Sequence, residues 1–395
     1  MTASDIEGWA EPGYGAIVDA FHAAFDGPPM GAALAVRHDG RLVVDVWGGD
    51  SDTRVGRRWE ENTETVIFSC TKGLMSILAA RLVADGRLDY DAPVSHYWPE
   101  FAQAGKETVL VRHLLSHQAG LSAPRPTVTL EQAVDWNHMT TLLAEQEPLW
   151  EPGTAHLYHP ITHGWLVGEV VQRAAGVPLR KWFARELAEP LHAQVHLGVA
   201  PEDGLDIAHL TVGDTLANLI ETQAAARVPG EIDWPDRAMT LGSAFPPALA
   251  GPDEGFNLRD VQAAIIPGAG GIASARGLAS VWSATVVETD GVRLLDDETR
   301  LRSTAVQSEG EQLFGVPGPY ARWGMGFQLD SEARRYLGPQ SLGHDGAGGQ
   351  CAFADADEKI GFAFVTNRME AGDDRATRII DALRVAIGTR SSLVG

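Results

Sequence analysis

Ser69-Cys70-Thr71-Lys72 places a hydroxyl and an amine three residues apart. On a helix, positions i and i+3 share a face, so Lys72 Nζ can reach Ser69 Oγ and take its proton. This is the only S-x-x-K in the chain, which holds 17 Ser but only four Lys (Lys72, Lys106, Lys181 and Lys359). Chance predicts about 0.2 such matches for that composition. Arg carries nearly all the other positive charge, and Arg cannot give up its proton to serve as a base, whereas a desolvated Lys can. The chemistry this points to is acyl transfer to a serine activated by an amine. If Ser69 opens a helix, the backbone N–H groups and dipole there would help hold negative charge on an acyl oxygen. The plainer reading of the same residues is a Ser N-cap followed by a solvated Lys.

Other chemistries are less well supported. His113 and His117 stand i, i+4 on an expected helix, and His156, His159 and His163 cluster, but there is no HExxH and no nearby carboxylate set. These histidines are expected to pack near the cleft, and neither metal nor cofactor is expected. No G-x-S-x-G occurs, which argues against an α/β-hydrolase elbow. Cys70 lies next to Ser69 but points elsewhere on a helix, so it is not expected to be the nucleophile. Trp47, Trp98, Trp150 and Trp165 are candidates for an acyl pocket wall, or for the core.

The elements that must position Ser69 are readable from patterning. Residues 13–25 read as an amphipathic helix, and 31–38 and 41–48 as two strands joined at Asp39-Gly40, a hairpin turn pair. Over 70–85, Leu74, Ile77, Leu78 and Leu82 share one helical face, and Asp85-Gly86 stops the helix. The middle, roughly 96–261, reads as helices and long loops without strand alternation. Strands return at 351–355 and 361–366, and 374–388 reads as a closing amphipathic helix. Strand-rich ends around a helical middle predict one α/β domain built from 1–95 and 262–395, with a helical domain, 96–261, inserted. A cleft between two such parts is a usual place for an active site.

The bulk numbers are those of a globular chain: 395 residues, 44% hydrophobic, 21% charged. A net charge of -22 repels nucleic acid and anionic membrane surfaces, so neither is expected as a partner. No stretch is apolar enough to span a membrane. The segment MTASDIEGWAEPGYG has no basic region followed by an apolar one, so a cytoplasmic location is expected. Two cysteines, Cys70 and Cys351, give no zinc or redox spacing.

Residues 65–100 resemble the nucleophile segment of the serine β-lactamase-like superfamily, which includes class C β-lactamases, penicillin-binding D,D-peptidases and family VIII carboxylesterases. The resemblance continues through His113-Leu114-Leu115-Ser116-His117-Gln118-Ala119-Gly120-Leu121, Pro152-Gly153-Thr154, Ile266-Pro267-Gly268-Ala269-Gly270-Gly271-Ile272 and Gly343-His344-Asp345-Gly346-Ala347-Gly348-Gly349. It implies an α+β fold of the β-lactamase/transpeptidase type: an antiparallel sheet flanked by terminal helices, with an inserted all-helical domain. It also implies that Tyr158, six residues after Pro152, completes the base, as a phenolate whose pKa is lowered by neighbouring donors. Pro160 departs from the family's Y-x-N, whose Asn contacts a substrate amide, which counts against β-lactam and peptide recognition. His344-Asp345-Gly346 stands where the family has K-T-G or H-x-G. Gly346 would let the strand approach the substrate, the N–H groups of Ser69 and Ala347 would form the oxyanion hole, and His344 would bond to Tyr158 or, with His159, to substrate.

The expected function is therefore a serine carboxylesterase acting on short-chain or small-molecule esters through an acyl-enzyme on Ser69. The alternatives are amide chemistry (β-lactamase, D,D-peptidase or D-aminopeptidase) and a non-catalytic scaffold. The natural ester, acyl length and oligomeric state are not set by the sequence.

Overall fold

The computed structural model describes residues 6–394, with side chains described over 6–388. Its largest sheet runs in the order Ile6–Ala10, Arg41–Asp52, Gly31–His38, Ile360–Thr366, Gln350–Asp355, Ser341–Gly346, Gln328–Leu329, Arg322–Trp323, antiparallel throughout. The two ends of the chain meet at its centre, where Leu34 lies opposite Phe364. The hairpin predicted at Asp39-Gly40 is present, with φ of 50° and 76°; two consecutive positive φ values give the twist that matches the flanking strands.

The two faces of this sheet differ in side-chain size. Leu34, Val36, Phe353, Phe362 and Phe364 point to one side and pack with Ile17, Phe21, Ile379, Ile380 and Leu383 of the terminal helices Gly15–Ala23 and Arg375–Val394. Ala33, Ala35, Ala352, Ala354 and Ala363 alternate to the other side. Small residues there let the helices Ala275–Ser283 and Cys70–Ala84 lie close to the strands. Helix Cys70–Ala84 is buried on nearly every side, from Cys70 through Leu82, so it is a central element.

The strand before it, Thr65–Phe68, belongs to a separate three-stranded sheet with Gly271–Ala273 and Val195–Leu197. Gln350 Nε2 donates to Val66 O at 2.6 Å and ties this small sheet to the large one.

Two expectations need correction. The stretch 96–261 is mainly helical, but it is not all helical. It supplies Val195–Leu197 to the small sheet, and Thr211–Val212 pairs in parallel with Arg368–Met369. Strands of two or three residues are too short for alternation to register. The helix carrying His113 ends at Leu115, and His117 has φ of 65°, so His113 and His117 do not share a helical face. Among the described residues no helix is long and apolar enough to cross a membrane.

Candidate active site

The strand Thr65–Phe68 turns into helix Cys70–Ala84 through Phe68, whose φ is 44°. A bulky residue in the left-handed region stores strain, of order 1–3 kcal/mol, and it is held by its surroundings. The Phe68 ring is buried edge-on against Phe256 at 5.4 Å, and its carbonyl accepts from Thr71 Oγ1. Thr71 Oγ1 in turn accepts from Gly271 N–H at 2.9 Å. This elbow presents Ser69 at the helix N-terminus.

Ser69 stands at the N-cap position, but its side chain makes no capping hydrogen bond, and Lys72 is not solvated, because it is fully buried. Lys72 Nζ lies 2.8 Å from Ser69 Oγ, 2.6 Å from Pro160 O and 2.6 Å from Gly268 O. Burial holds the Lys72 amine well below the ordinary lysine pKa. Carbonyls only accept, so Pro160 O and Gly268 O each take an N–H of Lys72, and the third position on Nζ is the one turned to Ser69 Oγ. The approach of Gly268 requires glycine, since a Cβ there would lie 2.3 Å from Ile161 O.

Tyr158 sits on the other side of Ser69. Its ring stacks on Trp323 at 5.3 Å and 16°, meets His117 edge-on at 4.8 Å, and lies 4.9 Å from Lys72 Nζ. Its hydroxyl hydrogen-bonds to Ser69. The expected lowering of its pKa does not occur: burial raises it, outweighing the bond to Ser69. Burial thus holds Tyr158 as a phenol, because the buried, apolar-walled site disfavours a phenolate more than the bond to Ser69 favours it.

The strand Ser341–Gly346 passes beside the elbow. A Cβ on Gly346 would lie 2.5 Å from Ile67 O, so only glycine lets the two strands come this close. Cys70, completely buried, donates from Sγ to His344 O at 3.1 Å, and burial raises its pKa well above the usual thiol value. His344 Nδ1 bonds to Asp345 O at 2.7 Å, which leaves Nε2 unprotonated; that atom has no partner among the described residues. No bond joins His344 to Tyr158; their rings are 6.1 Å apart, and burial lowers the His344 pKa to about 3.

His159 departs from expectation. Its Nε2 accepts from Leu121 N–H at 3.2 Å and its Nδ1–H donates to Leu157 O at 2.6 Å. With both ring nitrogens committed to backbone, the side chain braces the 117–121 loop and does not line the cavity. His117 and His163 pack beside it, 5.0 Å apart, and burial holds both well below the usual histidine pKa.

Above Ser69 opens a cavity of about 400 Å³. Its apolar wall is Leu157, Ile161, Met239, Leu249, Val316 and Trp323; its polar groups include Ser69, Tyr158, His344, Asp345, Gln312 and Gln328, and Gly346 and Ala347 complete its edge. Neither Lys nor Arg lines it. None of Trp47, Trp98, Trp150 and Trp165 lines it either; Trp98 and Trp165 are core residues. Trp323, Gln312 and Gln328 were missed in the sequence. The one local signal was the glycine-punctuated run Trp323-Gly324-Met325-Gly326-Phe327, in which a Cβ on Gly326 would meet Ser76 Oγ at 2.2 Å, beneath the site.

The Beta-lactamase family profile matches residues 23–386. The chain is 34% identical over 372 residues to the esterase/beta-lactamase LipL of Mycobacterium tuberculosis, covering 92% of this chain and 83% of that protein. It superposes on the crystal structure of a family VIII carboxylesterase with a TM-score of 0.83 at 32% identity, over 97% of this chain and 100% of the other. A penicillin-binding protein homologue from Caulobacter crescentus gives the same TM-score at 33% identity and the same coverage. With a strained elbow presenting a serine to a buried amine, and this likeness over nearly its whole length, the chain belongs to the beta-lactamase family and is a hydrolase.

Proposed function

We propose that the protein is a serine carboxylesterase that hydrolyses short-chain or other small carboxylic esters through an acyl-enzyme on Ser69. The observation that carries this reading is the desolvated Lys72, 2.8 Å from Ser69 Oγ with two carbonyls holding its other hydrogens. In acylation the Lys72 lone pair takes the Ser69 proton as Oγ attacks the ester carbonyl. The N–H groups of Ser69 and Ala347 receive the developing oxyanion. As the C–O bond to the alcohol breaks, the proton reaches the leaving alkoxide through the Tyr158 hydroxyl, which bonds to the same serine oxygen. Deacylation runs the same groups in reverse, with water in place of the alcohol.

Ester chemistry is favoured over β-lactam chemistry by what surrounds the serine. A β-lactam brings a carboxylate and an amide that must be held. The cavity lining has no cationic side chain to meet the carboxylate, and Asp345 is already paired with Arg334. Pro160 has no side-chain donor, and its carbonyl is committed to Lys72. An ester needs less, because an alkoxide leaves more readily than an amine. The relatives described as an esterase/beta-lactamase and a family VIII carboxylesterase support the same direction.

The test is a side-by-side assay of nitrophenyl acetate and butyrate with a chromogenic cephalosporin, alongside mass mapping of a fluorophosphonate adduct. The adduct is expected on Ser69, and kcat/KM for the cephalosporin is expected to be lower by at least about two orders of magnitude. Comparable values for the two substrate classes would overturn the esterase reading.

A further inference from the structure

Two glutamines line the cavity, and both are pinned in the same way. Gln312 Oε1 accepts from the backbone N–H of Tyr158 at 2.8 Å. Gln328 Oε1 accepts from the backbone N–H of Asp345 at 2.9 Å. A backbone N–H can only donate, so each amide has its oxygen on the protein and its NH2 group turned away from that contact. Neither NH2 group has a hydrogen-bond partner among the described residues, and neither is sealed from solvent. Gln328 is only 6% exposed as a residue, so its accessible surface opens into the cavity it lines. Of the other polar side chains of the lining, Ser69 and Tyr158 serve the chemistry, Asp345 is held by Arg334 Nε at 2.7 Å, and His344, its Nδ1 bonded to Asp345 O, has only the buried acceptor Nε2 left and no donor to offer. The wall between them is hydrocarbon. The cavity thus offers an incoming ester two fixed amide donors and no cation.

We infer that Gln312 and Gln328 determine specificity, their NH2 groups binding a neutral acceptor oxygen that the substrate carries beyond its scissile ester. The favoured substrate class is then a small ester with a second carbonyl or ether oxygen in its acyl or alcohol part. A purely hydrocarbon ester leaves both donors unpaired in an apolar-walled cavity, and a carboxylate would gain no ion pair from them. The inference rests on the esterase reading above.

Isosteric ester pairs test it. On the acyl side, nitrophenyl 4-oxopentanoate is compared with nitrophenyl 4-methylpentanoate. On the alcohol side, 2-oxopropyl butyrate is compared with isobutyl butyrate, followed by titration of released acid. Each kcat/KM is divided by the ester's rate constant for hydroxide hydrolysis. The oxo ester is expected to exceed its methyl isostere by about tenfold or more in at least one pair. Gln328→Glu and Gln312→Glu retain an oxygen for the backbone N–H but lose the donors, and at least one is expected to bring that ratio close to one. A merely structural role would slow both members of a pair equally and leave the ratio unchanged. Ratios near one in both pairs for the wild type, with the hydrocarbon esters turned over through Ser69, would overturn this inference and leave the esterase reading standing. No turnover of any of the four esters would overturn both.

Discussion

The floor and the rim of the cavity are built in opposite ways. The floor comes from helix Cys70–Ala84, buried from Cys70 through Leu82 with the single exception of Arg81, and from strands locked to it by Gln350, Thr71 and the Gly346 contact. The rim comes from the seven-residue helix Trp234–Thr240 and the 312–316 turn, reached from helix Asp214–Ala226, which buries no residue. Val228, Ile232 and Phe314 beside it are about half exposed. Proton transfer tolerates little displacement, and the groups proposed to perform it lie where backbone contacts over-determine their positions. Substrate fit tolerates more, and the rim lies where few contacts are lost if it changes; Gln328, in the strand Gln328–Leu329, is the one specificity residue held as tightly as the floor. The floor should therefore respond to substitution in kcat, and the rim in preference among substrates.

The largest effect is expected at Ser69 and Lys72. Ser69→Ala should abolish fluorophosphonate labelling and lower ester turnover by about 10⁴ or more. Lys72→Arg should be almost as damaging, since the guanidinium keeps its proton; retention of most of the wild-type kcat would break the base assignment. Tyr158→Phe keeps the ring against Trp323 and removes only the hydroxyl, so the fold should persist while kcat falls by about 10²–10⁴. Near-normal kcat would make Tyr158 a packing residue and move proton delivery elsewhere on the floor.

The pH profile sharpens the same point. The base must be neutral to act, and burial lowers the Lys72 pKa, so the neutral form persists to a lower pH than for an ordinary lysine. The profile of kcat/KM should rise with pH through that lowered value and reach its plateau well before the ordinary lysine range. His344 and His159, lowered to about 3, should contribute no inflection near the usual histidine value. Activity that keeps rising into the ordinary lysine range would mean Lys72 is not desolvated in solution.

At the rim, Met239→Ala is expected to shift preference between butyrate and longer acyl esters by about three- to tenfold, with kcat on acetate and Tm little changed. A drop in kcat as large as that of a floor variant would erase the distinction. The smallest effect is expected at Cys70. Ser can still donate to His344 O, so Cys70→Ser should stay within about threefold of wild type. A thiol reagent should label the native protein slowly, because Cys70 Sγ is buried under the strand Ser341–Gly346; rapid labelling would show that the floor opens.

The family and the proposed reacting pair were both legible in the chain itself, and the family is shown. One S-x-x-K among only four lysines, followed by helix periodicity over 70–85, brings Ser69 and Lys72, the proposed nucleophile and base, together, because an i, i+3 relation is local and survives in any helix. The central hairpin was legible for a similar reason, since Asp39-Gly40 is a local turn preference. What only the tertiary structure decided is what burial decides. Two carbonyls from distant segments, Pro160 and Gly268, hold Lys72 Nζ against Ser69 Oγ. Desolvation keeps Tyr158 a phenol where neighbouring donors had suggested a phenolate. His159 spends both nitrogens on backbone that no motif reveals, and Trp323 and Gln328 reach the cavity from two-residue strands at the edge of the large sheet, Gln312 from the turn beside them, places that depend on the whole sheet. Spacing along a chain specifies which groups can meet within one turn of helix; the solvent and partners left to each of them are set by residues hundreds of positions away.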